Sequence, residues 1–169
     1  MFTLPGLESL AMHSTDPPTA MIVPVQSAHR AVWSQLYAAF ADSQSVAQTK
    51  AMRERVWAWL QDPAHPVEGL IALNVGKRPI GLAHFRVFPC PLSAAEALFL
   101  DDLYVDRMAR GQGIGAALLA ALQAEAVRRG LPLVRWSTLP QNAAACALYD
   151  RLAVRVDHLL YDLPARSAF

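Results

Sequence analysis

The hydrophobic positions along the chain follow two different periods, one of about two residues and one of three to four, so both strands and helices are predicted. Short β-branched runs are typical of strands, and segments with apolar residues on one helical face are typical of helices. Proline and glycine separate the segments, as at Pro63 and Gly76. The predicted strands are 21–25, 68–75, 80–88, 97–105, 133–138 and 154–163, and the predicted helices are 32–40, 46–60, 114–129 and 142–152.

This order of elements predicts a single α/β domain with a mixed, largely antiparallel central sheet flanked by helices. The strand that ends at Val105 is expected to part from the strand that starts at Leu133, which would leave a splayed opening. At 169 residues the chain is expected to form one core. Residues 1–20 carry a turn-forming run and no periodicity, so we predict a flexible N-terminal extension followed by the domain over 21–169.

Composition narrows the class of protein and of partner. Hydrophobic residues make up 54% of the chain and charged residues 17%, which favours an ordered domain whose thin polar surface pairs with a second copy, as in a homodimer. With 15 Lys and Arg against 14 Asp and Glu, no positive field favours nucleic acid. No apolar run reaches membrane-spanning length, so no membrane partner is expected. Cys90 and Cys146 show no disulfide or metal-ligand spacing, which favours a cytoplasmic protein without a metal site.

A glycine-rich segment joins the strand ending near Val105 to the clearest helix of the chain. Such a loop aims several free backbone N–H groups and the positive end of a helix dipole at one point, which suits a pyrophosphate. Glycine allows the main chain to approach phosphate oxygens closely, and an arginine adds a charge that can pair with them. The segment reads Arg110, Gly111, Gln112, Gly113, Ile114 and Gly115.

The same glycines also satisfy the dinucleotide-binding pattern G-x-G-x-x-G/A, which is a weak signal taken alone. In a Rossmann fold these glycines follow the first strand, whereas here they come late and after an antiparallel stretch. The acidic ribose ligand expected about 20 residues further on is also missing, because that strand offers Arg135 and Trp136. The position of the loop therefore argues against an oxidoreductase.

Several elements in a fixed order resemble the GNAT superfamily of N-acetyltransferases. They are Leu103, Tyr104 and Val105, then the glycine loop 110–115, then Asn142, and finally Tyr149 within Tyr-Asp-Arg-Leu at 149–152. The resemblance runs over about half of the chain, from 81 to 163, and the linked elements are far more specific than the loop alone. It implies a GNAT fold whose splayed strands form the cleft for acetyl-CoA.

The resemblance also implies a role for each matching residue. The backbone of Leu103 to Val105 would pair with the pantetheine arm of acetyl-CoA, the loop would hold the pyrophosphate, and Asn142 would contact the same arm. Tyr149 would be the general acid that protonates the departing thiolate. From the residues alone, Asn142 is equally suited to cap a helix and Tyr149 to be a core aromatic residue, so these alternatives stay open.

An acidic pair precedes the loop. The segment Leu-Asp-Asp-Leu-Tyr-Val at 100–105 resembles the branch of the superfamily that acetylates polyamines, other small amines and histone tails, with Asp101 where that branch has glutamate. A protonated amine cannot attack a thioester, so a carboxylate must bind the ammonium group and accept its proton, directly or through water. The resemblance favours Asp101 over Asp102 for this role. The alternative is that both aspartates are solvated charges at the end of a strand. His84 on the neighbouring strand is a secondary candidate for the pocket or a proton relay.

The sequence thus predicts an enzyme that transfers the acetyl group of acetyl-CoA to a primary amine of a small molecule or peptide, by direct attack in a ternary complex. The alternative is a non-catalytic acyl-CoA-binding or regulatory module of the same fold, against which the presence of Tyr149 and of both aspartates argues. One departure from the family lies after the last helix, where Leu-Ala-Val at 152–154 replaces the common Leu-Gly-Phe. Alanine in a left-handed turn would cost on the order of 1 kcal/mol, so this turn should be strained or shaped differently.

Overall fold

The structure, a computed structural model, describes residues 20–164 of the chain. These residues form two compact units, 20–137 and 138–164. The predicted extension 1–20 lies outside the described residues except for Ala20, which is buried. No helix within 20–164 combines the length and the apolar character needed to cross a membrane.

The first unit is built on a mixed five-stranded sheet in the order β1-β2-β3-β4-β5, in which β1 to β4 are antiparallel neighbours and β5 runs parallel to β4. The predicted α/β class and the mixed, largely antiparallel sheet are therefore confirmed. Its elements are β1 (Met21–Pro24), α1 (Arg30–Ser43), α2 (Lys50–Gln61), β2 (Val67–Leu73), β3 (Pro79–Cys90), β4 (Ala95–Val105), α3 (Ile114–Arg128) and β5 (Val134–Arg135). The second unit contains α4 (Ala143–Leu152).

One face of the sheet packs against α1 and α2. Every second side chain of each strand points toward this face, as that of Leu82 does on β3. These side chains contact a row of aromatic side chains on α1. Trp33 is the centre of that row and lies 5.0 Å from the ring of Trp57 on α2, measured between ring centroids. Burial of these large apolar side chains supplies the main free energy that holds the two helices on the sheet.

The opposite face packs against α3. At Gly81 on β3 an added Cβ atom would lie 3.5 Å from Ile114, the first residue of α3, and 3.0 Å from the carbonyl oxygen of Tyr104. The start of α3 therefore sits directly on the sheet beside the end of β4. The buried residues of α3 recur on one helical face, which is why this helix was the clearest in the sequence. They are Ile114, Leu118, Leu119, Leu122 and Ala126.

The end of the described chain differs from the prediction. A strand was expected over 154–163, but these residues form no strand, and side chains such as Leu159, Tyr161 and Leu163 are largely exposed. Alternating apolar residues show which face a strand would bury, but a strand also needs a neighbour for its backbone hydrogen bonds. Helix α4 ends at Leu152, and the next residue, Ala153, has extended backbone (φ −143°, ψ 165°). The missing glycine is thus accommodated by a differently shaped turn, without left-handed strain.

Candidate active site

A β-bulge places the two predicted carboxylates on one face of the sheet. In the β3–β4 ladder Asp102 lies opposite His84, but Leu100 lies opposite the very next residue of β3, so Asp101 is an extra residue on β4. In a regular strand two consecutive side chains point to opposite faces. Here Asp102 contacts His84 and Asp101 contacts Arg86, and these two residues of β3 share the face that packs against α1. The bulge therefore brings the two neighbouring carboxylates, His84 and Arg86 into one cluster on this face of the sheet.

Asp102 is the inner member of the cluster. Its Oδ2 atom lies 2.8 Å from Nδ1 of His84, whose residue is 1% exposed. Nε2 of the same ring accepts a hydrogen bond of 2.9 Å from Nε1 of Trp33. The hydroxyl of Tyr37 faces the same carboxylate, and burial, the negative charge of Asp102 and a hydrogen bond to it raise the pKa of Tyr37 well above its usual range. Asp102 nevertheless keeps 23% of its side chain open to solvent.

Asp101 is the outer member, with 31% of its side chain exposed. Nε of Arg86 donates to both of its carboxylate oxygens, at 3.2 and 3.1 Å. Burial raises the pKa of Asp101 above its ordinary value, although the positive charge of Arg86 opposes that rise. A raised pKa makes this carboxylate a better proton acceptor than an ordinary aspartate.

The edge of β4 beside this cluster is open in the first unit. Strand β5 pairs only with Leu98 and Phe99, so on the side away from β3 the described sheet offers no strand partner to β4 from residue 100 to 105, in agreement with the predicted splayed strands. The N–H of Asp106 donates to Ile80 on β3. Because backbone groups alternate along a strand, those of Leu103 and Val105 point away from β3 toward the open edge. The backbone that the resemblance assigns to the pantetheine arm therefore has no strand partner on that side within the described sheet.

The glycine loop follows at the end of that edge. Gly111 and Gly113 both adopt a φ of 77°, a left-handed conformation in which glycine is favoured, and neither has an atom near the position of a Cβ. Gly113 is the N-cap of α3 and provides no side-chain hydrogen bond, so the first N–H groups of the helix have no capping side chain. Nε of Arg110 donates to the carbonyl oxygen of Val105 at 3.1 Å, which ties the loop to β4. Gln112 is exposed on the loop.

The two remaining predicted residues belong to the second unit. Asn142 is the N-cap of α4, and its Oδ1 accepts a hydrogen bond from the N–H of Ala145 at 3.4 Å, so the capping role considered from the sequence is confirmed. Tyr149 lies on the same helix and is partly buried, and this burial raises its pKa. The phenol is therefore protonated at neutral pH, as that of an ordinary tyrosine is, and the shift makes it a weaker acid.

Three residues of the cluster were not assigned to it from the sequence. Arg86 was not singled out, and Trp33 and Tyr37 lie in the predicted helix 32–40, for which only a packing role on the apolar face was expected. A spacing of four residues places Trp33 and Tyr37 one above the other on that face, and both carry a polar atom that must find a partner when buried. That requirement is the signal that could have indicated a polar contact.

Comparison with known proteins agrees with this geometry. The model of the acetyltransferase (GNAT) family matches residues 33–153, which is more than half of the chain. The chain is similar to a D-amino-acid N-acetyltransferase of Saccharomyces cerevisiae, with 28% identity over 130 residues that cover 76% of this chain and 81% of the relative. It is also similar to the L-2,4-diaminobutyric acid acetyltransferase of Methylotuvimicrobium alcaliphilum, with 28% identity over 99 residues, or 58% of this chain and 55% of that protein.

The fold is shared with solved acetyltransferases. The structure of AAC(6')-Iy in complex with the bisubstrate analogue CoA-S-monomethyl-acetylneamine aligns with a TM-score of 0.72 and 16% sequence identity, and the alignment covers 87% of this chain and 99% of that one. The order of elements, the open edge of β4 and the glycine loop at the start of α3 agree with this likeness. The chain is therefore an acetyltransferase that belongs to the GNAT family.

Proposed function

We propose that the protein transfers the acetyl group of acetyl-CoA to the primary amine of a small molecule, by direct attack of the amine on the thioester in a ternary complex. One observation carries the proposal. The bulge in β4 puts two carboxylates at one end of the β4 edge that has no strand partner on the side away from β3. The other end of this edge leads toward the glycine loop at the start of α3. A strand rises about 3.3 Å per residue, so roughly 13 Å of extended edge separates Asp101 from Val105, where β4 ends.

The cosubstrate is acetyl-CoA in this proposal. The N–H groups of residues 111–116 and Arg110 hold the pyrophosphate, and the edge groups of Leu103 and Val105 pair with the pantetheine amides as a further strand would. Asn142 contacts the same arm. Two facts support this assignment: the left-handed glycines leave open space at the helix start, and the structure of AAC(6')-Iy, with which the fold is shared, holds a CoA analogue.

The carboxylates prepare the amine. A primary amine of pKa about 10 arrives as an ammonium ion, which Asp102 binds and Asp101 deprotonates directly or through water. The freed lone pair attacks the acetyl carbonyl carbon, the C–S bond breaks, and Tyr149 gives its proton to the departing thiolate. The attacking nitrogen loses its second proton as the amide forms, and that proton restores the phenol of Tyr149. The raised pKa of Asp101 favours proton transfer to this carboxylate. Tyr149 carries its proton at neutral pH, but its raised pKa makes the phenol a weaker acid, so the thiolate must take the proton as its negative charge develops.

The acceptor is a small amine, and amino acids are the first class to test. The two relatives act on D-amino acids and on L-2,4-diaminobutyric acid, respectively.

We further propose a cytoplasmic homodimer. The exposed apolar side chains at 154–163, including Leu159 and Tyr161, support a contact with a second copy. Light scattering of the purified chain measures its mass directly, and a monomer at assay concentration would exclude the dimer.

Release of free thiol from acetyl-CoA, measured across a panel of amines, tests the function. The panel should contain D- and L-amino acids, diamines, polyamines, aminoglycosides and histone-tail peptides. We expect saturable turnover with at least one small amine. Tight binding of acetyl-CoA by calorimetry without thiol release on any amine would favour the non-catalytic acyl-CoA-binding module instead.

Tyr149→Phe tests the assigned acid. The substitution keeps the ring and removes only the hydroxyl, so we expect turnover to fall roughly 100-fold while the affinity for acetyl-CoA changes little. Thermal unfolding of the variant serves as the control, because a large loss of stability would mark the hydroxyl as a structural hydrogen-bonding group. Full activity with chemistry shown to be rate-limiting would mean that Tyr149 is not the acid.

A further inference from the structure

The buried histidine beside the site has a defined arrangement of donors and acceptors. Indole Nε1 is only a donor, so in the hydrogen bond between Trp33 and His84 the Nε2 atom must be the acceptor. The proton of the neutral imidazole then lies on Nδ1, the atom 2.8 Å from Oδ2 of Asp102. Trp33, which can only donate, and the ionised Asp102 carboxylate, which can only accept, therefore both require the tautomer in which His84 donates to Asp102.

His84 cannot pass that proton onward. Its other nitrogen faces an indole N–H that can only donate, and the residue is 1% exposed. The proton relay considered from the sequence has no exit through this ring, and the side chain does not line an open pocket. What remains is a fixed donor held against a carboxylate.

Packing fixes the ring as well as its tautomer. The ring of Tyr37 meets the imidazole edge-on at 4.8 Å, and the ring of Trp33 lies 5.8 Å away. On the other side Gly69 lies opposite His84 in the β2–β3 ladder, where an added Cβ would lie 3.5 Å from Cδ2 of His84 and 2.7 Å from a methyl group of Val25. The imidazole therefore has little freedom to rotate.

We infer that Trp33 and His84 are positioning residues that hold the Asp102 carboxylate in the orientation that binds the ammonium form of the substrate. This inference rests on the proposed function. One oxygen of Asp102 is engaged by His84, and the carboxylate as a whole keeps lone pairs and solvent-open surface for a cation. Asp101, paired with Arg86 on the outer side, carries no such buried support. The two carboxylates of the bulge thus divide binding and proton transfer between them.

Two substitutions of similar size separate the two hydrogen bonds of the imidazole. In His84→Gln the side-chain amide reaches the position of Nε2, so a partner for Trp33 remains and the donor to Asp102 is lost. In His84→Asn the amide nitrogen occupies the position of Nδ1, so the donor to Asp102 is kept. We expect His84→Gln to raise the KM for the amine roughly tenfold, with a smaller loss of kcat, and His84→Asn to raise it less.

The affinity for acetyl-CoA is the internal control, since a merely structural role would disturb both substrates. Combining His84→Gln with Asp102→Asn completes a double-mutant cycle, and we expect the glutamine substitution to add little once Asp102 is neutral. An unchanged amine KM in a folded His84→Gln variant, or additive losses in the cycle, would overturn the inference.

Trp33→Phe keeps an aromatic ring but removes the N–H that donates to Nε2 of His84. The imidazole is then held by a hydrogen bond on one side only, so the amine KM should rise several-fold, while nitrogen-15 NMR should still place the ring proton on Nδ1, beside the acceptor Asp102. This measurement remains available if His84→Gln fails to fold. An unchanged amine KM in a folded Trp33→Phe variant would contradict the role of Trp33, and a ring proton on Nε2 would contradict the assigned hydrogen bond from His84 to Asp102. If the parent enzyme shows no turnover with any amine, the proposed function fails instead, whereas an active parent with insensitive variants removes only this inference.

Discussion

The two ends of helix α3 differ in how far the chain satisfies its own polar groups. At the C-terminal end the N–H of Leu131 donates to the carbonyl oxygen of Ala126 at 2.8 Å, and Gly130 takes the left-handed conformation that closes the helix. At the N-terminal end Gly113 offers no capping side chain, and the loop before it is exposed. An N-terminal helix end without a capping side chain is where an anion is stabilised. The C-terminal end of α3 is thus closed by the chain itself, whereas the N-terminal end has the free N–H groups that the proposed phosphate site requires.

Carboxylates near the C-terminal end of α3 and at the bulge in β4 also differ in how far arginines satisfy them. Glu125 near the C-terminal end accepts hydrogen bonds from Arg128 and Arg129, at 2.8 to 2.6 Å, and these, led by Arg128, lower its pKa to about 2. The guanidinium of Arg129 also pairs with Glu68 on β2 through two bonds of 2.6 Å. At the bulge, by contrast, burial raises the pKa of Asp101 despite its arginine. A carboxylate paired with two arginines contributes to the stability of the fold. A carboxylate with fewer cationic partners can still accept a proton or bind an ammonium group.

The largest effect is expected at the open end of α3. Gly113→Glu places a side chain and a negative charge where phosphate oxygens must approach, so acetyl-CoA affinity should fall roughly 100-fold or more by calorimetry. Gly113→Ala is the matched control, because it carries the same backbone strain at φ 77° without the charge and should lose much less. Unchanged affinity in a folded glutamate variant would remove the loop from the site and erase the contrast between the two helix ends.

A small effect is expected at the satisfied end. Glu125→Gln should lower the free energy of unfolding by about 1 kcal/mol at pH 7, a discounted value because Arg128 is mostly exposed. The pKa of Glu125 is lowered in the folded state, so its contribution is present above the unfolded pKa of about 4.3 and is lost as the pH falls toward about 2.

The difference in stability between parent and Glu125→Gln, measured by urea unfolding, should therefore shrink between about pH 5 and pH 2, while turnover stays at the parental level. A difference in stability that is constant over this range would contradict the assigned ion pairs. A loss of turnover comparable with that of the site variants would show that the two ends of the helix are not functionally distinct.

Much of the first unit could be predicted from local patterns. Strands β2 to β4, helix α3 and the glycine loop between β4 and α3 follow from apolar periodicity and from glycine placement, which depend on neighbours in sequence. The end of the chain could not be predicted in this way, because the alternation around Leu159 and Tyr161 says nothing about whether a neighbouring strand is present.

The inner arrangement of the site was also beyond local pattern. Asp101 and Asp102 were found as a pair, but a regular strand would have put them on opposite faces, and the bulge that unites them depends on the register with β3. The contact from Trp33 to His84 spans 51 positions and depends on how α1 docks on the sheet. Residue types indicated the chemistry, and long-range packing decided which residues take part.

The central claim is that the carboxylates at the bulge deprotonate the substrate amine, and the pH dependence of kcat/KM for Asp101→Asn tests it most directly. At neutral pH the amine is almost wholly protonated and needs the carboxylate, whereas near its own pKa of about 10 it is already deprotonated in solvent. The variant should therefore be slowed most at neutral pH, by roughly 100-fold, and should approach the parent as the pH rises. Asp102→Asn, measured in parallel, should instead raise the KM for the amine. Profiles identical to that of the parent for both variants would contradict the account.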